Sequence, residues 1–185
     1  MIPLIGFAPD ADSTTPGALM DCANVIPTLR GMAGAPSPLD AGLAALPTEC
    51  RGGGVLTRLD KLNRVFAGTR TKLYELSGVT FVDQSRAGSY TGSVENRWRF
   101  AQFGNASLAC NETEQLQVST GTGTAFADIP QSPKARIIET ASGFVLAFGL
   151  NATYVGGDRP DAWACSHIYD HLTWTPASTN QAAFG

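Results

Sequence analysis

A repeat of 43 residues constrains this chain more than any other feature. Residues 65–78 (VFAGTRTKLYELSG) align without a gap with residues 108–121 (LACNETEQLQVSTG), so Leu73 meets Leu116 and Gly78 meets Gly121. Shifted by a further two residues, Phe81-Val-Asp83 matches Phe126-Ala-Asp128. A looser third unit follows: residues 144–149 repeat the apolar strand, and residues 172–174 (LTW) take the place of the aromatic run. About four strands in forty-odd residues is the pattern of a propeller blade, a small sheet that buries its faces only against neighbouring blades. Two or three blades do not close a propeller. The strands are therefore expected to pair with another chain, to belong to a longer polypeptide, or to form an open sandwich.

The strand signals are short and regularly punctuated. Residues 54–59, 64–68, 72–76 and 80–83 are bounded by Gly, Asn, Asp or Ser turns. Residues 98–103, 107–109, 115–118 and 125–129 follow, then 135–139, 143–148, 153–155 and 162–166. Helical periodicity is missing, and the turn density implies antiparallel hairpins rather than crossovers. The first fifty residues differ, with seven of the 11 prolines. Proline fixes φ and removes a donor, which disfavours long helices and central strands. The expectation is an all-β chain of antiparallel, propeller-like repeats, incomplete or open, over residues 52–185. An extended proline-rich arm over residues 1–51, with one short turn around residues 18–24, lies against its own body or a neighbour's.

Bulk chemistry narrows the function classes. Charged residues are only 16% of the chain, against about 25% in an ordinary soluble domain. Either neighbouring subunits cover much of the surface, or Ser, Thr, Gly, Asn and Gln replace ionic groups. Both point away from a free cytosolic enzyme. The net charge of −3 provides no global field for nucleic acid. Between Lys61 and Arg99 lie Lys61, Arg64, Arg70, Lys72, Arg86, Arg97 and Arg99, a stretch that could line a DNA channel but reads better as solvated strand faces. No apolar window is long enough to span a bilayer. Met1-Ile-Pro-Leu4 lacks the basic and apolar regions of a signal peptide. Cys22, Cys50, Cys110 and Cys165 are scattered without CxxC spacing, so free thiols are expected.

Each candidate for chemistry fails on spacing or strand geometry. His167 and His171 are four apart but lie in no helix pattern and have no HExxH glutamate, so a turn or edge position is preferred. Ser166 and Cys165 beside His167 would point to opposite faces of a strand from it. Asp10, Asp12 and Asp21 lack an EF-hand frame, and Asp12-Ser-Thr-Thr reads as an Asx or ST turn. Gly52-Gly-Gly54 lacks the lysine and helix of a phosphate loop. Trp98, Phe100 and Phe103 form either a sugar-stacking platform or a core row, and the core is preferred; Trp163 and Trp174 share the ambiguity. No catalytic, cofactor-binding or metal-ligating residue is assigned, no cofactor is expected, and the chain is read as a non-enzyme.

Several diffuse features carry a family resemblance. They are FAPD (7–10), TPG (15–17), DCANVIP (21–27), RG (30–31) and GAPS (34–37), then LYEL (73–76), WRFAQFG (98–104), PKA (133–135) and WTP (174–176). In this pattern an asparagine-x-x-proline start, here Asn24 to Pro27, precedes a propeller-like body. The chain resembles the tail hub or nozzle virion proteins of short-tailed, podovirus-type bacteriophages. The resemblance implies a structural subunit made in the host bacterial cytoplasm and placed in the virion tail or head–tail neck. It implies a homo-oligomeric ring, a hexamer, that passes genomic DNA as cargo, docks portal or adaptor and tail-fibre proteins, and inserts in no membrane. The alternatives are a carbohydrate-binding tail module, with Trp98 or Trp174 stacking sugars, and a head-completion stopper of the same neck.

Overall fold

The structure, a computed structural model, describes residues 6–7, 10, 12, 14–16, 18–19, 23–28, 31–36 and 40–185. It divides into two compact units, Met1–Ala41 and Gly42–Gly185. In the first, β1 (Gly6–Phe7) pairs in parallel with β2 (Ala18–Leu19). Ahead of β2, the Asp12 carboxylate accepts both the Thr14 N–H, at 2.8 Å, and the Thr14 hydroxyl, at 2.7 Å. This is the Asx turn that the sequence suggested. Strands β3 (Val25–Thr28) and β4 (Gly31–Gly34) form an antiparallel hairpin with Pro27 opposite Met32. A two-stranded hairpin leaves each strand one unpaired edge, where a residue without an N–H is tolerated. The segment read as an arm is thus partly paired. Ala18–Leu19 is strand where a turn was expected, and residues 20–22 of that turn lie outside the described residues.

The second unit is all-β and holds three four-stranded antiparallel sheets, each with its strands in chain order. The first contains β5 (Gly53–Thr57), β6 (Asn63–Gly68), β7 (Leu73–Ser77) and β8 (Thr80–Asp83). The second contains β9 (Arg99–Phe103), β10 (Ala106–Cys110), β11 (Gln117–Ser119) and β12 (Ala127–Asp128). The third contains β13 (Lys134–Ala141), β14 (Phe144–Ala152), β15 (Gly157–Cys165) and β16 (Ala183–Phe184). Such meanders need only hairpin turns, as the turn density required. Two expectations fail in the third sheet. Residues 153–155 are a 3₁₀ turn, closed by the Gly156 N–H on the Thr153 carbonyl at 3.1 Å. The fourth strand is Ala183–Phe184, not residues 172–174, because Trp174 leaves the sheet plane to bury in the layer beneath.

The sheets stack face to face like consecutive blades, and the stack is open. Leu56, Phe66 and Leu73 of the first sheet pack on Tyr90, Trp98, Phe100, Ala109 and Phe126. Leu108, Cys110, Leu116 and Val118 of the second pack on Ala135, Ile138, Val145, Ala147 and Leu150 of the third, with Trp174. Leu73, Leu108 and Leu116 are wholly buried, and each such side chain contributes roughly 1.5–3 kcal/mol. The close approach of the first two sheets demands glycine at one point. A Cβ on Gly68 would clash with the edge of the Trp98 indole, at Cδ1 and Cγ.

Strand register refines the repeat. Phe66 pairs with Glu75, and Leu108 pairs with Val118. Phe66 and Leu108 each face the following sheet, as do Leu73 and Leu116. The offset is therefore 42 residues on β6 and β10 but 43 on β7 and β11. The gapless alignment is corrected by one residue. Five residues, 111–115, separate Cys110 from Leu116, which directly precedes β11, against four, 69–72, between Gly68 and Leu73. In the third sheet Ile137, Phe148 and Trp163 pair in one cross-strand row, with a register shift after Phe148. Gly149, at φ +64°, takes the left-handed conformation at that bulge.

Candidate functional site

The residues weighed for chemistry fall into structural roles. β15 ends at Cys165, and a turn follows in which the Asp170 N–H donates to the His167 carbonyl. His167 is thus in a turn, and its Nδ1 accepts the Gln181 N–H at 3.3 Å. His171 rests against Phe103, 5.6 Å between ring centroids, and its carbonyl accepts the Trp174 indole N–H. Burial holds the His171 imidazole below its ordinary pKa, against a small opposing pull from Asp170. Ser166 is completely buried; its Oγ accepts the Val145 N–H and its hydroxyl donates to the His167 carbonyl. The Cys165 thiol donates to the Gln181 carbonyl. Asp10 is exposed, and Asp21 and Cys22 lie outside the described residues. Among the described residues, no group of three or more His, Cys, Asp and Glu could hold a metal ion, and Cys50, Cys110 and Cys165 are free thiols.

The aromatic row is core. Trp98 is 3% exposed, donates its indole N–H to the Thr69 carbonyl at 2.7 Å, and meets Tyr90 edge to face. Phe100 stacks on Phe66. Phe103 packs in the other layer, because its odd spacing from Phe100 turns it to the opposite face. Trp174 is 2% exposed. Neither Trp98 nor Trp174 presents a ring to a sugar. Gly52 is packed against the Trp98 backbone and Gly54 against the Phe100 side chain, so this glycine run serves sheet contact.

The basic stretch is not a uniform solvated face. Arg64 is buried between the first two sheets, where it makes a two-point pair with Glu75 at 2.7 and 2.9 Å. It also reaches Ser107 and Ser119, while the Gly123 N–H donates to Glu75. Burial pushes the Glu75 carboxyl up, but the Arg64 hydrogen bonds, the Gly123 N–H and the guanidinium charge outweigh it and hold it below its usual range. Arg86 pairs with Glu114 and Asp128, and Lys72 pairs with Asp83. Sequence reasoning missed the Arg64 site. An arginine alternating with apolar residues in a strand looks the same whether it faces water or a buried carboxylate.

Two features remain available for recognition. The first strands β5, β9 and β13 lie side by side, and they border a cavity of about 610 Å³ lined by Gly52–Leu56, Arg97–Phe100 and Ile137–Glu139. Arg97, Arg99 and Glu139 bring mixed charge to its wall, and Arg97 is committed to the Val94 and Asn96 carbonyls. The second feature is the pair of terminal sheet faces. On the third sheet, Ile137, Phe148 and Trp163 are 46, 38 and 41% exposed. The outer face of the first sheet is open only in part: Val55 is 64% exposed, but Ala67 and Tyr74, paired on the same face, are 5% and 8% exposed.

No protein-family model matches this chain, and no curated protein sequence is significantly similar to it.

Proposed function

We propose that this chain is a structural, non-catalytic subunit of a short-tailed bacteriophage virion, part of an oligomeric tail hub or nozzle ring that passes DNA and docks other tail proteins. The single supporting observation is the stack of three sheets whose third sheet turns the apolar row Ile137, Phe148 and Trp163 outward, 46, 38 and 41% exposed. Such a body gains stability from neighbours and offers them large faces. The phage assignment itself rests on the family resemblance of the sequence. The polar groups that looked reactive, Ser166, Cys165 and His167, are engaged in closing turns and strand ends. The sugar-binding alternative loses Trp98 and Trp174 to the core. No helix among the described residues is long and apolar enough to cross a membrane.

The test is location. Peptide mass spectrometry of washed particles of the phage carrying this gene should recover the chain, and immunogold labelling should mark the tail or neck. Absence from the particles, with glycan binding by the purified protein, would sink the virion reading in favour of a free lectin-like module.

A further inference from the structure

We infer that the cavity along the first strands is a docking groove for an extended segment of another protein, one that carries an acidic and a basic side chain two residues apart. A free backbone edge is the first support. β5, β9 and β13 each stand at one end of their sheet's strand order, so each has one edge without a strand partner. On β5 the Gly52 carbonyl accepts the Gly68 N–H, and beyond its other end the Arg58 N–H donates to the Leu62 carbonyl. Antiparallel pairs alternate, so Gly53 and Val55, out of phase with these, turn their N–H and carbonyl groups to the free edge. Both residues are exposed, and Gly53 has no side chain to keep another backbone away.

Two unpaired charges stand beside that edge. Gly52 packs against the Trp98 backbone and Gly54 against Phe100, which sets Arg99 level with Gly53. Residues 137–139 share one cavity with 97–100, and 140–143 share another with 102–104, so β13 follows β9 in the same direction. The Thr140 hydroxyl donates to the Gln102 carbonyl at 3.0 Å. Glu139 is therefore level with Ala101, two residues along from Arg99. Both Arg99 and Glu139 are exposed, and neither side chain has a hydrogen-bond or ion-pair partner among the described residues. Two residues of strand advance about 7 Å. A segment paired to β5 presents alternate side chains at that same interval, so its acid meets Arg99 and its base meets Glu139.

The charge pattern chooses the occupant. A nucleic acid repeats one charge, and its phosphates would meet Glu139 as well as Arg99. A sugar needs an open aromatic face, and Trp98 beside the groove is 3% exposed. A small anion satisfies Arg99 alone and leaves Glu139, the edge amides and most of the 610 Å³ without contacts. An extended polypeptide uses all of them. It makes main-chain hydrogen bonds to β5, pairs both charges, and lays apolar side chains against Val55 and Ile137, which are 64% and 46% exposed. β5 is five residues long, about 17 Å, and a segment of that length fills its edge.

The probe is a cell-displayed library of short random peptide segments, panned on the immobilised full chain. Enriched segments should carry Asp or Glu and Lys or Arg two positions apart, in either chain direction. A synthetic peptide of the enriched sequence should bind Arg99→Glu and Glu139→Lys at least about 10-fold more weakly. Panned afresh, Arg99→Glu should enrich segments with two basic residues and Glu139→Lys segments with two acidic ones. Circular dichroism checks that both variants fold, and the switch in preference is a gain that misfolding cannot produce. Amide exchange at Gly53 and Val55 should slow when the peptide is bound. No enrichment over the bare support, enrichment without the charge pair, or preferences that ignore both charge reversals would overturn the inference. So would binding that leaves the Gly53 and Val55 amides unprotected. The groove does not depend on the virion reading: absence from phage particles defeats only the latter, and failed panning only the former.

Discussion

Arg64 and Glu75 meet on adjacent strands in a two-point ion pair, 2.7 and 2.9 Å long, with side chains only 1% and 4% exposed. The pair lies where the first sheet meets the second, and Arg64 also covers the Phe66 ring at 4.6 Å. Desolvating both charges is expensive, and the attraction between them roughly offsets that cost. Removing one partner is a different matter, because the other charge stays buried.

Glu75→Gln and Arg64→Met are each expected to lose about 3–5 kcal/mol, measured by urea denaturation. The double variant Arg64→Met/Glu75→Leu should return close to the parent stability or exceed it. A loss in the double variant equal to the sum of the two single losses would show that the pair is not coupled.

Acid should weaken the fold through the same carboxylate. The folded Glu75 value lies below its unfolded one, which is about 4.3. Its contribution is therefore complete above pH 4.3 or so and is lost as the pH falls through the folded value. Melting temperatures followed from pH 7 to pH 2 should drop over that window. The drop should be smaller in Arg64→Met/Glu75→Leu, although Asp83, held low by Ser85 and Lys72 against its own burial, retains a share.

Thiol chemistry should separate by place in the fold. Cys50 is exposed, whereas Cys110 lies in the second layer, where burial pushes its thiol up to about 12. At pH 8 an alkylating reagent should label Cys50 in the native protein and spare Cys110 until denaturant is added. Equal labelling of both, read by peptide mass spectrometry, would contradict the layer.

Gly68→Ala should disturb the indole of Trp98 directly. Overpacking of this kind costs about 1–3 kcal/mol. Its signature is local: the Trp98 ring must shift from the Thr69 carbonyl, so tryptophan emission should change before global unfolding.

The sheets were largely legible because hairpin turns and apolar runs follow each other closely; β8 falls where 80–83 was expected. The core role of Trp98 and Phe100 was legible for the same reason. The one-residue slip was not, since Val65 and Leu108 are both apolar and the alignment cannot tell which face each takes. Nor was the last strand: Ala183–Phe184 is too short to show alternation, and the aromatic Leu172-Thr-Trp174 offered a stronger false signal. The apolar end face escaped notice because a row across strands places Ile137, Phe148 and Trp163 far apart in the chain.

The extra residue within 111–115 has an evolutionary consequence. Inserted within a strand, one residue would turn every later side chain to the wrong face. Inserted in the hairpin, it leaves both flanking strands in phase with their layers. Drift in length among copies of a duplicated blade should therefore accumulate at the tips. The same tolerance makes those tips the places where a lineage can graft new loops, and so acquire new partners, without renegotiating the packing beneath.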